Sequence, residues 1–232
     1  DGSPWRAWAA ALKERFHASF WLEDERGPYL AIALDADRRA VDSITSNAGH
    51  VLGSGLLSPS QARDVAARLV SDDMSSGYGL RTMSTTAAGY WPLSYHGGTV
   101  WAHDTAIAIA GLTREGCLAE ADVLIEGLLA AAAGFRSRMP ELHSGDARSD
   151  SAAPLPYPAA CRPQAWSAAA SVAVLASALG LRPEDGRLAV SPRPVLGTLA
   201  VTGLRYGGLE SGIRTDSSGD VVSATGEPIQ VG

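Results

Sequence analysis

The feature that most constrains the fold is a loop-to-helix junction at residues 89–111, with the sequence GYWPLSYHGGTVWAHDTAIAIAG. Pro92 has no amide proton, and Gly97 and Gly98 can adopt backbone angles that other residues avoid, so the first half is predicted to be a loop. The apolar run at residues 106–112 then predicts a helix. A chain with this junction presents a polar, aromatic loop at a helix N-terminus.

Aromatic and hydrogen-bonding side chains are concentrated at this junction. They are Tyr90, Trp91, Tyr95, His96, Trp101, His103 and Asp104. Such a mixture suits a sugar ring, which has apolar C–H faces and a rim of hydroxyl groups. The same residues would also be explained if the aromatic rings belonged to the core and His103 and Asp104 capped the helix. The residue types alone leave both interpretations open.

The composition indicates a folded chain and excludes several classes of partner. It has 232 residues, of which 46% are hydrophobic and 19% charged, so we expect a substantial core. The formal net charge is −6 and Lys13 is the only lysine, which argues against a nucleic-acid partner. No apolar run is long enough to span a bilayer, so we expect no membrane partner.

The cysteines and acidic pairs do not indicate a metal or cofactor site. Cys117 and Cys161 have neither a disulfide framework nor metal-ligand spacing, so we expect a reduced, cytoplasmic environment. Asp72 and Asp73 lack a third ligand at a suitable spacing and are predicted to form a solvated helix end. We therefore expect no metal and no cofactor.

Helix starts and apolar periodicity predict a series of helices. Ser3-Pro4 and Ser58-Pro59 are typical helix starts, and apolar residues at spacings of three and four follow both. The first helix would carry an aromatic face formed by Trp5, Trp8, Leu12, Phe16 and Phe20. Further helices are predicted at residues 104–112, 117–133 and 163–179.

The C-terminal part has a different character. After Pro183, short apolar segments alternate with Gly, Pro, Asp and Ser, a pattern that predicts strands. We therefore predict a mainly α chain, with a helical segment over residues 1–183 and a short β-rich appendage over residues 184–232. The order of loops and helices before residue 183 is typical of helical hairpins packed around an axis, with a pocket at one end.

Three stretches together resemble the C-terminal part of bacterial amylo-α-1,6-glucosidase-like proteins, the glycogen-debranching relatives among the α/α-toroid glycoside hydrolases. They are SNAGHVLGSGLL at 46–57, PLSYHGGTVWAHDTAIAIAGL at 92–112, and MPELHSGD with PYPAACRPQAWSAAA between residues 139 and 170. The resemblance implies an (α/α)6 toroid, of which this chain would form about half. It also implies an inverting glycosidase whose substrate is an α-linked oligosaccharide or α-glucan.

The resemblance implies roles for individual residues. Glu141, in the MPELHSG stretch, corresponds to the general base of the inverting mechanism. The residues implied to bind the sugar are Asn47, His50, Trp101, His103, Asp104, Gln164 and Trp166. Tyr95 and His96, which lie at the same junction, are predicted to contact the sugar as well.

The resemblance also leaves alternatives open. The family's general acid lies upstream, so we expect this chain to be about the second half of a catalytic domain, completed by an N-terminal half or assembled as a homo-oligomer. Thr105 stands where the family pattern has an asparagine, which would remove a sugar hydrogen bond. The chain could thus be a catalytically incomplete carbohydrate-binding or regulatory fragment, or a helical scaffold without a sugar site. A buried salt bridge from Glu141 to Arg138 or Arg148 would also account for that carboxylate.

Overall fold

The computed structural model describes residues 2–226 and 229–231 of the chain. The chain divides into two compact units, Asp1–Ala170 and Ser171–Gly232, a division that falls earlier than the predicted boundary after residue 183. About 36% of the chain is helical and about 23% is strand. The fold is therefore mixed, and the predicted mainly α class is too narrow because short strands also form before residue 102.

The helices expected from apolar periodicity are present. They are α1 (Ser3–Ser19), α2 (Pro59–Leu69), α3 (Ala102–Glu115), α4 (Leu118–Gly134) and α5 (Ala165–Ala178). The start of α2 shows why the Ser-Pro signal works. The hydroxyl of Ser58 accepts a hydrogen bond from the amide of Gln61, and the Gln61 side chain accepts one from the amide of Ser58.

The helix α1 forms as predicted, but its aromatic face is not packed. None of its residues is buried, and Trp5 and Trp8 are 76% and 57% exposed. Phe16 stacks on Phe20 with ring centroids 5.2 Å apart. Apolar periodicity thus predicted the helix correctly. It does not predict whether the apolar face is buried, because burial depends on which other segments pack against that face.

The helices α3 and α4 form a hairpin that carries much of the core of the first unit. Gly116, with φ of 77°, ends α3 in the left-handed conformation and allows a short connection. Ile109 and Leu112 on α3 are fully buried, as are Leu124 and Ile125 on α4. The two helices are in contact with each other along this hairpin.

Three short antiparallel pairs of strands complete the first unit. They are β1 (Trp21–Asp24) with β2 (Gly27–Leu30), β3 (Ala33–Leu34) with β4 (Ala40–Val41), and β5 (Val100–Trp101) with β6 (Leu142–His143). In the last pair Trp101 lies opposite Leu142. This pairing brings the loop-to-helix junction beside the segment that contains Glu141.

The second unit is rich in strands, as predicted. Its strands are β7 (Arg182–Glu184), β8 (Arg187–Val190), β9 (Leu199–Tyr206), β10 (Leu209–Thr215), β11 (Val221–Thr225) and β12 (Ile229–Val231). The strands β9, β10 and β11 form an antiparallel sheet, while β8 pairs with β7 antiparallel and with β12 parallel.

The acidic pair after α2 is only partly a solvated helix end. Asp72 is exposed, but Asp73 is buried. The carboxylate of Asp73 accepts hydrogen bonds from Arg26 at 2.6 Å, Ser71 at 2.8 Å and Ser84 at 2.5 Å, so it joins three segments of chain. The prediction was wrong for Asp73 because two of its partners, Arg26 and Ser84, lie outside the helix end and its neighbouring residues.

Among the described residues, no group of three or more His, Cys, Asp or Glu side chains could hold a metal ion. None of the helices in the same residues is long and apolar enough to cross a membrane.

Candidate active site

A cavity of about 610 Å³ in the first unit brings together nearly all the predicted site residues. Its lining includes Asn47, His50, His96, Trp101, His103, Asp104, Glu141, Gln164 and Trp166. Tyr95 does not line the cavity, but its hydroxyl donates a hydrogen bond to Oε1 of Glu141 at 3.0 Å. Residues from four separate stretches of sequence therefore meet at one place.

Each stretch reaches the cavity through a local feature of its sequence. Asn47 and His50 lie on a 3-10 helix, Ser46–Val51. Gly49 allows this turn to approach α3, because a Cβ there would come within 2.8 Å of the Ala108 side chain. The predicted junction contributes residues from β5 and the first turn of α3. Gln164 and Trp166 come from the segment that begins α5.

The aromatic side chains form a continuous wall. The ring of Trp101 contacts that of His103 edge-on at 5.4 Å, and His103 contacts Trp166 edge-on at 4.4 Å. His96 stacks on Trp101 at 5.3 Å. Trp101 is buried, whereas Trp166 is 59% exposed, so the wall runs from the core to the surface.

The sequence left two interpretations of the junction open: a sugar-binding cluster, or core aromatic rings with His103 and Asp104 capping the helix. The structure supports part of each. Trp101 is a core residue and a cavity residue at once, and its indole N–H donates to the carbonyl oxygen of Tyr95 at 3.0 Å. The helix α3 begins after Trp101 without any side-chain cap. His103 and Asp104 therefore do not cap the helix, and both face the cavity instead.

The electrostatics of the cavity are set by a histidine–aspartate pair. Nε2 of His50 lies 2.5 Å from Oδ1 of Asp104. This hydrogen bond raises the pKa of His50, and burial only partly opposes it. Burial lowers the pKa of the neighbouring His103, so its ring is neutral at neutral pH and can donate or accept. In the part of the chain that the structure describes, Nδ1 of His103 and Oδ2 of Asp104 have no hydrogen-bond partner.

We expect the titration of His50 to depend on Asp104. In the native chain His50 should titrate above its ordinary value of 6.5, and in Asp104→Asn its pKa should fall, because the carboxylate that stabilises the imidazolium is lost. The pair thus stabilises the fold fully below pH 6.5 and loses its effect as pH rises through the raised pKa. Proton NMR of the imidazole resonances measures both titrations, and equal midpoints in the two proteins would contradict the assignment.

Glu141 is held by hydrogen bonds and not by an ion pair. Its Oε1 accepts from the hydroxyl of Tyr95 at 3.0 Å, and its Oε2 accepts from the amide of Cys161 at 3.2 Å. Among the described residues it forms no salt bridge with Arg138 or Arg148. The salt-bridge explanation of this carboxylate is therefore wrong.

Some residues of the cavity were not expected from the sequence. They are Ile32, Thr45, Ser46 and Thr82. Thr45 and Ser46 adjoin the polar stretch around Asn47, so their position in the sequence already indicated that they could line the cavity. Conversely, Trp91 is 63% exposed and does not line the cavity, and the hydroxyl of Tyr90 donates to the carbonyl oxygen of Gly145 instead.

The comparison with protein families agrees with a carbohydrate-active site. The family model of the mannosylglycerate hydrolase MGH1-like glycoside hydrolase domain matches residues 1–148. The cavity therefore lies in a glycoside hydrolase of the six-hairpin kind. Because the matched segment covers more than half of the sequence, the chain belongs to the MGH1-like glycoside hydrolase family.

The family match covers most, but not all, of the predicted site. It includes every predicted site residue except Gln164 and Trp166. It supports glycosidase activity in general but does not single out the amylo-α-1,6-glucosidases. No curated protein sequence matches the chain.

Proposed function

We propose that the protein acts as an inverting glycoside hydrolase on α-linked glucosides, in the manner of amylo-α-1,6-glucosidases, with Glu141 as the general base. The observation that carries the proposal is the position of Glu141 in the lining of a cavity walled by Trp101, His103 and Trp166. A carboxylate beside aromatic faces can accept a proton from water next to a bound sugar.

The proposed step uses two carboxyl groups. Glu141 takes a proton from water as the water oxygen bonds to the anomeric carbon, while the bond from that carbon to the leaving oxygen breaks. A general acid protonates the leaving oxygen; in inverting enzymes the carboxyl groups of this acid and of the base are about 6.5 to 9.5 Å apart. We propose that this acid comes from a segment N-terminal to residue 1. Asp104 already accepts a hydrogen bond from His50, so we assign it to hydroxyl binding.

The sugar-binding roles follow from the unpaired polar atoms and the aromatic faces. Nδ1 of His103 and Oδ2 of Asp104 are without partners among the described residues, and the hydroxyl groups of a sugar would supply them. Trp101 and Trp166 would pack against the C–H faces of the ring. His50, Asn47, His96 and Gln164 lie in the same lining and offer further donors and acceptors.

The charge of the cavity favours a neutral substrate. The family's name refers to mannosylglycerate, whose glycerate group is a carboxylate. No lysine or arginine is among the described residues that line this cavity, while Asp104 and Glu141 both are. The His50 imidazole is already paired with Asp104, so an anionic group would meet the Glu141 carboxylate without a guanidinium or ammonium partner, whereas a neutral glucoside carries no charge to be repelled.

The proposal is tested by hydrolysis of a panel of α-linked gluco-oligosaccharides with mannosylglycerate included. We expect glucose release by the chain, or by the chain together with the proposed N-terminal segment. In Glu141→Gln the rate of glucose release should fall about a hundredfold or more. NMR of the first product should show the β-anomer, since inversion of an α-linkage gives β-glucose. Glu126→Gln, an exposed carboxylate on α4, is the matched control and should keep full activity.

The alternative is a carbohydrate-binding fragment, which the limited set of cavity carboxylates favours. Asp104 and Glu141 are the carboxylates in the described lining. A binding fragment would show quenching of tryptophan fluorescence by maltose-type oligosaccharides without glucose release from either form. Activity that survives in Glu141→Gln would overturn Glu141 as the base, and no response in either assay would overturn both sugar functions.

A further inference from the structure

Tyr95 occupies an unusual position for a sugar-binding residue. Its hydroxyl reaches Glu141, but its side chain does not line the cavity. Its ring is packed edge-on against Trp101 at 4.8 Å and lies 5.8 Å from the ring of Tyr157. Its carbonyl oxygen accepts hydrogen bonds from the indole of Trp101 at 3.0 Å and from the hydroxyl of Thr99 at 2.8 Å. The backbone and the ring of Tyr95 thus both contact Trp101 in the wall of the site, while 41% of the residue remains exposed.

The other side of the Glu141 carboxylate is fixed by a different segment. The amide of Cys161 donates to Oε2 at 3.2 Å, and the amide of Glu141 donates to the carbonyl oxygen of Cys161 at 3.0 Å. Each carboxylate oxygen therefore has one donor, from Tyr95 on one side and from the Cys161 backbone on the other. Each oxygen keeps a further acceptor position, which a water molecule could use.

We infer that Tyr95 is a positioning residue for Glu141, not a residue that binds the sugar. This inference rests on the proposed function, because it assigns to Tyr95 the orientation of the proposed base. A phenol that donates to a carboxylate stabilises its ionised form, and only that form can accept a proton from water. Burial raises the pKa of Tyr95, as do its hydrogen bond to Glu141 and that residue's charge, so the phenol remains a donor at neutral pH.

The inference is tested directly by the NMR signal of the Glu141 carboxyl group. Carbon-13 NMR of the chain with labelled glutamate observes this resonance, which Glu141→Gln assigns by its disappearance. In Tyr95→Phe we expect the chemical shift of this resonance at pH 7 to change, because the donor to Oε1 is removed. Phenylalanine keeps the ring that packs against Trp101, so the wall of the site should persist.

Tyr157→Phe is the matched control. Its ring contacts Tyr95, but its hydroxyl forms no hydrogen bond to Glu141 in the described structure. This variant should leave the chemical shift of the Glu141 carboxyl group unchanged. The same chemical shift in the native chain and in Tyr95→Phe, or an equal change in both tyrosine variants, would overturn the inference.

Kinetics separate this inference from the function on which it rests. With the proposed substrate, Tyr95→Phe should lower kcat about tenfold at little cost in KM, because one hydrogen bond to a charged group is lost. If Glu141→Gln retains activity, the proposed function fails. If Glu141→Gln is inactive while Tyr95→Phe has the native kcat, only the role of Tyr95 fails.

Discussion

Replacing Gly145 by alanine is expected to lower the free energy of unfolding by about 3 to 5 kcal/mol. Gly145 is buried against Gly98, and a Cβ added to it would overlap the carbonyl oxygen of Gly98 and lie 2.9 Å from the carbonyl carbon. Both groups belong to the main chain, so the overlap cannot be relieved by a change of side-chain rotamer. One of the two loops would have to move.

The movement would reach the candidate active site. The amide of Gly145 donates to the carbonyl oxygen of Pro92 at 2.9 Å, and its own carbonyl oxygen accepts from Nε of Arg81 at 2.6 Å and from the hydroxyl of Tyr90 at 3.1 Å. These bonds join the loop that contains Glu141 to the loop that precedes α3. We therefore expect Gly145→Ala to lose sugar binding along with stability.

Gly89→Ala provides the control for this prediction. Gly89 lies in the same loop as Gly98, it is exposed, and an added Cβ would meet only the Met83 sulfur at 3.8 Å. Chemical denaturation should show a change of less than about 0.5 kcal/mol for this variant. If Gly145→Ala were as stable as Gly89→Ala, the close contact between the two loops would be contradicted.

The contact between Gly145 and Gly98 is an example of what the sequence alone could not predict. Apolar periodicity predicted the helices, because a helix is a local structure and its pattern repeats every few residues. The glycine itself was visible in the MPELHSGD stretch, but its partner Gly98 is distant in the sequence. The pairing of β5 with β6 could not be predicted for the same reason, since two residues on each strand carry no recognisable alternation.

The sequence was sufficient to propose which residues belong to the candidate site. It was not sufficient to predict which hydrogen bonds join them. The residue types at the junction indicated His96, Trp101 and Asp104, and the resemblance added Glu141. Nothing in the sequence indicated that Tyr95 donates to Glu141, because that bond joins two loops whose relative position depends on the whole unit. The carboxylate and its donor are therefore a property of the tertiary structure.

The other large expected effect is acid destabilisation through His143. This residue follows Leu142 in β6, it is completely buried, and burial lowers its pKa from 6.5 to about 4. Its ring lies between Phe135, at 5.7 Å, and Tyr78, at 6.5 Å, where a positive charge would lose its hydration. Nδ1 lies 2.8 Å from the carbonyl oxygen of Ser144, which fits a neutral ring that donates through this atom.

The sign of the effect follows from which state binds the proton. Above pH 6.5 the residue is neutral in both states and contributes no pH dependence. Between pH 6.5 and about 4 the unfolded chain takes up a proton that the folded chain excludes, so the free energy of unfolding falls as pH falls. The loss is about 1.4 kcal/mol per pH unit and about 3 kcal/mol over the whole window.

The contribution of His143 is isolated by comparing pH dependences, because carboxylates also destabilise the fold in acid. Urea unfolding measures the free energy of unfolding at pH 6.5 and at pH 5. The decrease between these pH values should be about 2 kcal/mol larger in the native chain than in His143→Gln. Glutamine keeps a donor for the carbonyl oxygen of Ser144 but does not titrate. Its variant should be less stable at pH 7 and less sensitive to acid. Parallel losses in the two proteins would mean that His143 is protonated in the folded chain, and that the β5–β6 pairing beside Glu141 tolerates a buried charge.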